Sequence, residues 1–182
     1  MTEEEQIEWA RFQTLALGQL DSFVDQQNFL GLRIDPSFDK AERLFVSKAK
    51  DGLRWTYKTW DSATDYERIY STHEERMKMK FGKQLPTIEI TRGEIGEESY
   101  KRTNKIIDKL NLKSLVKSDG FGLDGTSYSI SIGDSMRETK YSWWENLPKE
   151  WADLEPILQE LTDNLNLART ALNYEYGKSG IK

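Results

Sequence analysis

The chain has 182 residues, of which 37% are apolar and 31% charged, and its mean hydropathy is -0.74. That composition excludes a membrane-spanning helical protein, and the absence of cysteine excludes disulfides, thiolate metal sites and cysteine nucleophiles. Six Trp, 8 Tyr and 7 Phe nevertheless mark a folded domain, because disordered chains are poor in aromatics. The formal charge of -5 makes nucleic acid an unexpected partner. The middle of the chain, 36–92, is mildly basic, with 12 Lys and Arg against 9 Asp and Glu, between acidic ends. The opening Met1-Thr2-Glu3-Glu4-Glu5 lacks the basic start of a secretory signal, so a cytoplasmic location is expected.

In chain order, Trp9, Phe12, Ala16, Leu20, Phe23 and Leu30 fall on one helical stripe behind an acidic first turn. Residues 1–35 therefore read as an N-terminal helix, broken at Leu30 to Pro36 and packed on the domain. Asp51-Gly52 lies between Leu44-Phe45-Val46 and Leu53-Arg54-Trp55-Thr56-Tyr57, a hairpin signal because both central residues need positive φ. Phe38, Ala41, Phe45 and Ala49 repeat at helical spacing instead; the hairpin is favoured, after a short helical or irregular lead-in. Arg76 to Phe81 alternates as a half-buried strand, with Pro86 to Ile90 as its expected partner. A helix follows from about Glu97, with Tyr100, Ile106, Ile107 and Leu110 apolar, ending near Asn111.

Thr126 to Ile132 places Tyr128, Ile130 and Ile132 on one face and serines on the other. A turn at Gly133-Asp134-Ser135 leads to a return strand through Tyr141 and Trp143, making a second hairpin. Trp151, Leu154, Leu158, Leu161, Leu165, Ala168 and Leu172 then trace a long helix beginning near Glu155, since Pro156 fits only a first turn. The expected fold is α+β: residues 36–176 form an antiparallel sheet of hairpins with helices on one face, and 177–182 form a flexible tail.

Catalytic motifs fail one by one. Gly120-Phe121-Gly122-Leu123-Asp124-Gly125 matches a dinucleotide fingerprint in letters but precedes a strand, not a helix. Gly177-Lys178-Ser179 lacks the first glycine of a phosphate loop, where Leu172 stands. His73 is the only histidine, so a zinc-peptidase pair is impossible. Asp119, Asp124 and Asp134 are explained by turn chemistry beside glycines. No metal, cofactor or catalytic residue is assigned, and an enzyme is disfavoured.

Strand alternation puts Trp60 opposite Trp55 and Tyr57, and Trp144 opposite Tyr141 and Trp143. These rings lie either under helices or on a binding surface, so Trp60, Trp144, Trp143 and Tyr141 are the candidate interface. From Met77 onward the element order is strand, strand, helix, strand, strand, helix. The segment carries Asp124-Gly125-Thr126-Ser127-Tyr128, Trp143-Trp144 and Leu147-Pro148-Lys149-Glu150-Trp151. This resembles small bacterial α+β proteins and is similar in element order to emfourin-type peptidase inhibitors over about the last 90 residues. The resemblance implies a non-catalytic protein of immunity or inhibitor type, and the acidic surface implies a basic protein partner. Two alternatives stand beside it. One is a carbohydrate- or metabolite-binding domain, or small enzyme, using carboxylates and Trp on a sheet face. The other is an oligomer pairing through Trp151, Leu154, Leu158, Leu161 and Leu165.

Overall fold

The structure is a computed structural model that describes residues 2–22, 28–37, 39–49, 52–70, 84–112, 124–134 and 137–179. Helix α1 spans Glu3–Asp21, and Thr2 and Glu5 close a capping box at its start. Strands β1 (Asn28–Pro36), β2 (Ala41–Ala49) and β3 (Gly52–Trp60) follow, then helix α2 (Ser62–Tyr70) and β4 (Ile88–Ile95). Helix α3 is Glu97–Ile107, and β5 (Thr126–Asp134) and β6 (Arg137–Trp144) form the second hairpin. A 3-10 turn over Lys149–Leu154 leads into α4, Glu155–Ser179. The fold is α+β, with one six-stranded antiparallel sheet in the order β4-β3-β2-β1-β5-β6.

Several expectations change. Residues Asn28–Pro36, read as the broken end of a helix, are a strand near the centre of the sheet, paired with β2 on one side and β5 on the other. The boundary at residue 35 therefore cuts through a strand. Leu30, Leu32 and Ile34 alternate with Gly31, Arg33 and Asp35, and that period of two outweighs the helical placing of Leu30. Helix α4 runs to Ser179, through the first three residues of the tail expected at 177–182, and 180–182 lie outside the described residues. The expected strand from Arg76 to Phe81, together with His73, lies outside the described residues; so do Phe23, Asp119 and most of the Gly120 to Gly125 turn.

The helices divide between the two faces instead of gathering on one. Leu30, Leu32, Leu44, Val46, Leu53, Trp55, Tyr57 and Ile130 face the 3-10 turn and α4, whose Trp151, Leu154, Ile157, Leu161, Leu165 and Ala168 complete the main core. Helix α3 adds Tyr100, Ile106 and Ile107 to this side. On the opposite face Phe12, Ala16 and Leu20 of α1 pack with Ala41, Trp60 and Ile69 in a second core. A helix on each face of a β2-β3-β4 wall explains how a chain of modest apolar content buries its sheet on both sides. The hairpin of β2 and β3, the return strand through Tyr141 and Trp143, and the helix from Glu155 form as expected; Gly52, however, lies in β3 opposite Ala49, and Asp51 lies outside the described residues.

The stripe expected to pair two copies is occupied within the chain. Trp151, Leu154, Leu161 and Leu165 are buried against the sheet, and Leu158 packs beside them. An amphipathic helix lying on its own sheet satisfies the heptad-like spacing.

Candidate interaction edge

The four candidate rings separate into one buried residue and three on an edge. Trp60 is 4% exposed, flanked by Trp9 and Phe12 of α1, and its indole N–H donates to Asp65 at 2.8 Å. It is a core residue, because α1 and α2 close over the face to which strand alternation sends it. Tyr141, Trp143 and Trp144 instead lie together on β6, with β2, β1 and β5 standing between them and β3. Tyr141 meets Trp151 edge to face at 5.3 Å, and Trp143 stacks on Tyr128 at 5.8 Å, so both lean into the main core and are half-buried. Trp144 points to the other face and is likewise half-buried.

Trp144 is held by its surroundings. Gly125 adopts φ +151°, and a Cβ added there would stand 2.5 Å from the Trp144 ring and collide with the Glu145 carboxylate. The indole thus lies directly over glycine backbone, a place no other residue leaves open. Glu145 itself takes φ +54°, uncommon for a residue with a side chain. Its N–H donates to the Thr126 carbonyl at 2.9 Å, and its carboxylate accepts from the Thr126 N–H. The Ser37 N–H and hydroxyl both donate to the Gly125 carbonyl at 2.9 Å. The strained end of β6 is thereby pinned to the start of β5 and the end of β1, which fixes the ring's position.

Beside Trp144 the sheet presents a polar grid. The register sets Asp35, Ser127 and Trp144 in one row, Arg33, Ser129 and Ser142 in the next, and Gly31, Ser131 and Lys140 in a third. Gly31 is needed there, since a Cβ would come within 2.6 Å of the Ser131 hydroxyl. Helix α1 packs over β2, β3 and β4 and reaches only one corner of this grid, where its Asp21 pairs with Arg33 at 3.0 Å. On the far side of the sheet β4 is contacted by α1 and α4. Strand β6, by contrast, ends the sheet: among the described residues no strand pairs with its outer side. Glu138, Thr139, Lys140 and Ser142 along it are exposed.

Three ionic clusters, invisible as motifs, were candidates for chemistry. Glu42 accepts from the Tyr57 hydroxyl at 2.5 Å and from Arg169 Nε at 2.7 Å, with Arg169 Nη2 on its second oxygen. Burial, reinforced by the Glu42 hydrogen bond and charge, pushes the Tyr57 phenol well above its ordinary range. A phenol so held is a poor general base, and the cluster ties α4 to β2 and β3. Lys58 is 2% exposed and donates to the Gln19 carbonyl at 3.0 Å and to the Ser22 carbonyl and hydroxyl at 2.5 and 3.1 Å. Burial, then Arg92, pushes its ammonium down, and Asp21 opposes them. All three donors are engaged, so Lys58 caps the C-terminal end of α1 and is no free nucleophile. Beside it Arg43 bridges Asp21 at 2.7 Å and Asp35 at 2.7 Å.

Asp65 is the third. It is fully buried and accepts from Trp60, from the Thr87 N–H and hydroxyl, and from Arg68. Burial alone would raise its carboxyl; the hydrogen bonds outweigh that and hold it below the ordinary carboxylate range. With every lone pair used, it fastens α2 and the start of β4 to Trp60. Among the described residues no group of three His, Asp or Glu is placed to hold a metal ion. What remains accessible and pre-shaped is the β6 edge with Trp144. No family model matches the chain, and no curated protein or solved structure matches it either.

Proposed function

We propose that the protein is a non-catalytic binding module of immunity or inhibitor type, which grips a partner protein along the open edge of β6 with Trp144 as anchor. The observation that carries the reading is the combination of a regular strand whose outer side meets no other strand among the described residues with a half-buried indole fixed over Gly125. An edge strand offers a row of main-chain donors and acceptors to an added strand. A rigid Trp beside it supplies the desolvated contact that dominates many interfaces at little entropic cost. The net charge of -5 favours a basic partner, through faster encounter. The test is affinity capture from the native host with wild-type and Trp144→Ala protein. A protein retained by the wild type and lost by the variant is the expected outcome, and equal retention by both overturns the reading.

A second reading has one observation in its favour. Ser127 and Ser142 neighbour Trp144 on one face, hydroxyls beside a ring, as suits a carbohydrate. A glycan screen by Trp fluorescence tests it, with Trp144→Phe as control. A response that survives in the control, or none at all, removes this alternative.

A further inference from the structure

We propose that the β6 edge also pairs with the β6 edge of a second copy of this chain, about a two-fold axis through Thr139, so that two sheets join into one. This rests on the reading of β6 as an interaction edge and names an occupant for it. The ladder between β5 and β6 runs through eight consecutive rungs without a register shift, whereas the β1–β2 ladder is irregular between Asn28 and Leu30. Strand β6 also carries no proline, so its outer side keeps every main-chain donor.

The side chains select the register. The run Glu138-Thr139-Lys140 is complementary to its own reverse. With Thr139 opposite the partner copy's Thr139, Glu138 stands opposite Lys140 twice, both on the serine face. On the face toward Trp151, Thr139 meets its own copy. All three central rungs are then favourable cross-strand pairs. Moving the axis to Lys140 sets Lys140 against Lys140, and moving it to Tyr141 leaves Glu138 opposite Trp144 and Lys140 opposite Ser142. The two charges that would repel an arbitrary strand thus admit a second copy in one register. Ser142, Trp143 and Trp144 extend beyond the paired segment, so the Trp144 anchor stays outside the self-pairing. The paired strands still share main-chain groups with any strand the partner would add, and pairing of copies competes with partner capture.

Sedimentation velocity over a concentration series reaching the high-micromolar range tests this, using wild-type, Glu138→Lys, Lys140→Glu and the double exchange. Both positions are exposed, and circular dichroism checks that each variant is folded. The wild type is expected to dimerise and each single reversal to weaken the dimer about tenfold or more, since both copies of the rung become repulsive. The double exchange recreates both rungs and should restore the dimer to within about threefold. A wild type that stays monomeric overturns the proposal; so does a dimer indifferent to the single reversals, or a double exchange that fails to restore it. A monomer that still captures a partner through Trp144 defeats the self-pairing alone. A rescued dimer with no Trp144-dependent partner defeats the partner reading alone.

Discussion

Gly125→Ala is the substitution that most sharply probes how Trp144 is held. At φ +151° an alanine occupies backbone space open almost only to glycine, at a cost of about 1–3 kcal/mol. The new methyl would lie 2.5 Å from the indole, inside contact distance, and would also meet the Glu145 carboxylate. Displacing a packed ring or the backbone under it costs about another 1–3 kcal/mol. Together these make roughly 2–6 kcal/mol, or a fall in Tm of about 5–15 °C for a domain of this size. The loss should come with a change at Trp144 itself. Urea unfolding gives the stability, and the emission difference between Gly125→Ala and Gly125→Ala/Trp144→Phe isolates the moved ring. A stability change under about 0.5 kcal/mol with unaltered Trp144 emission would refute the argument, because it would mean that the ring does not rest on Gly125.

Other substitutions separate core from surface. Trp60→Ala empties the space between α1 and the sheet and should destabilise by about 3–5 kcal/mol, whereas Trp144→Ala should cost only about 1–2 kcal/mol because the ring is only partly buried. Chemical denaturation of both variants measures the contrast. Asp65→Ala leaves Trp60 Nε1 and the Thr87 N–H without their acceptor and should cost about 3–5 kcal/mol. The Asp65 carboxyl is held below its unfolded value, so its contribution is complete above the unfolded value and is lost as pH falls through the folded one. The stability gap between wild type and Asp65→Asn should therefore be constant at neutral pH and shrink below roughly pH 4. A gap that widens on acidification would show the opposite linkage.

Local signals carried much of the architecture. The apolar runs either side of Asp51-Gly52 marked the β2–β3 hairpin, although Gly52 itself belongs to β3 opposite Ala49, and the serine alternation of β5 specified both its state and its faces. Proline at position 156 marked the first turn of α4. Strand β1 was obscured because Leu30 continues the stripe of α1 at helical spacing, although Leu30, Leu32 and Ile34 alternate just as well. Period alone also correctly sent Trp60 and Trp144 to the far face, yet it could not distinguish them. Their difference is non-local: α1 lies over β2 to β4 and stops short of β5 and β6. The edge status of β6 depends likewise on β5 returning beside β1, a long-range pairing that no short window encodes. The Gly125 cradle was written in a Gly-Thr-Ser sequence that reads as an ordinary turn, and its role emerges only with Trp144 across the ladder.

The central claim is that recognition occurs on the β6 edge. Its most direct test is hydrogen exchange of the protein with and without the species that wild type retains and Trp144→Ala loses. The account predicts slowed exchange over residues 138–144, with α1 and α4 unchanged. Protection confined to α1, with β6 exchanging as before, would contradict it.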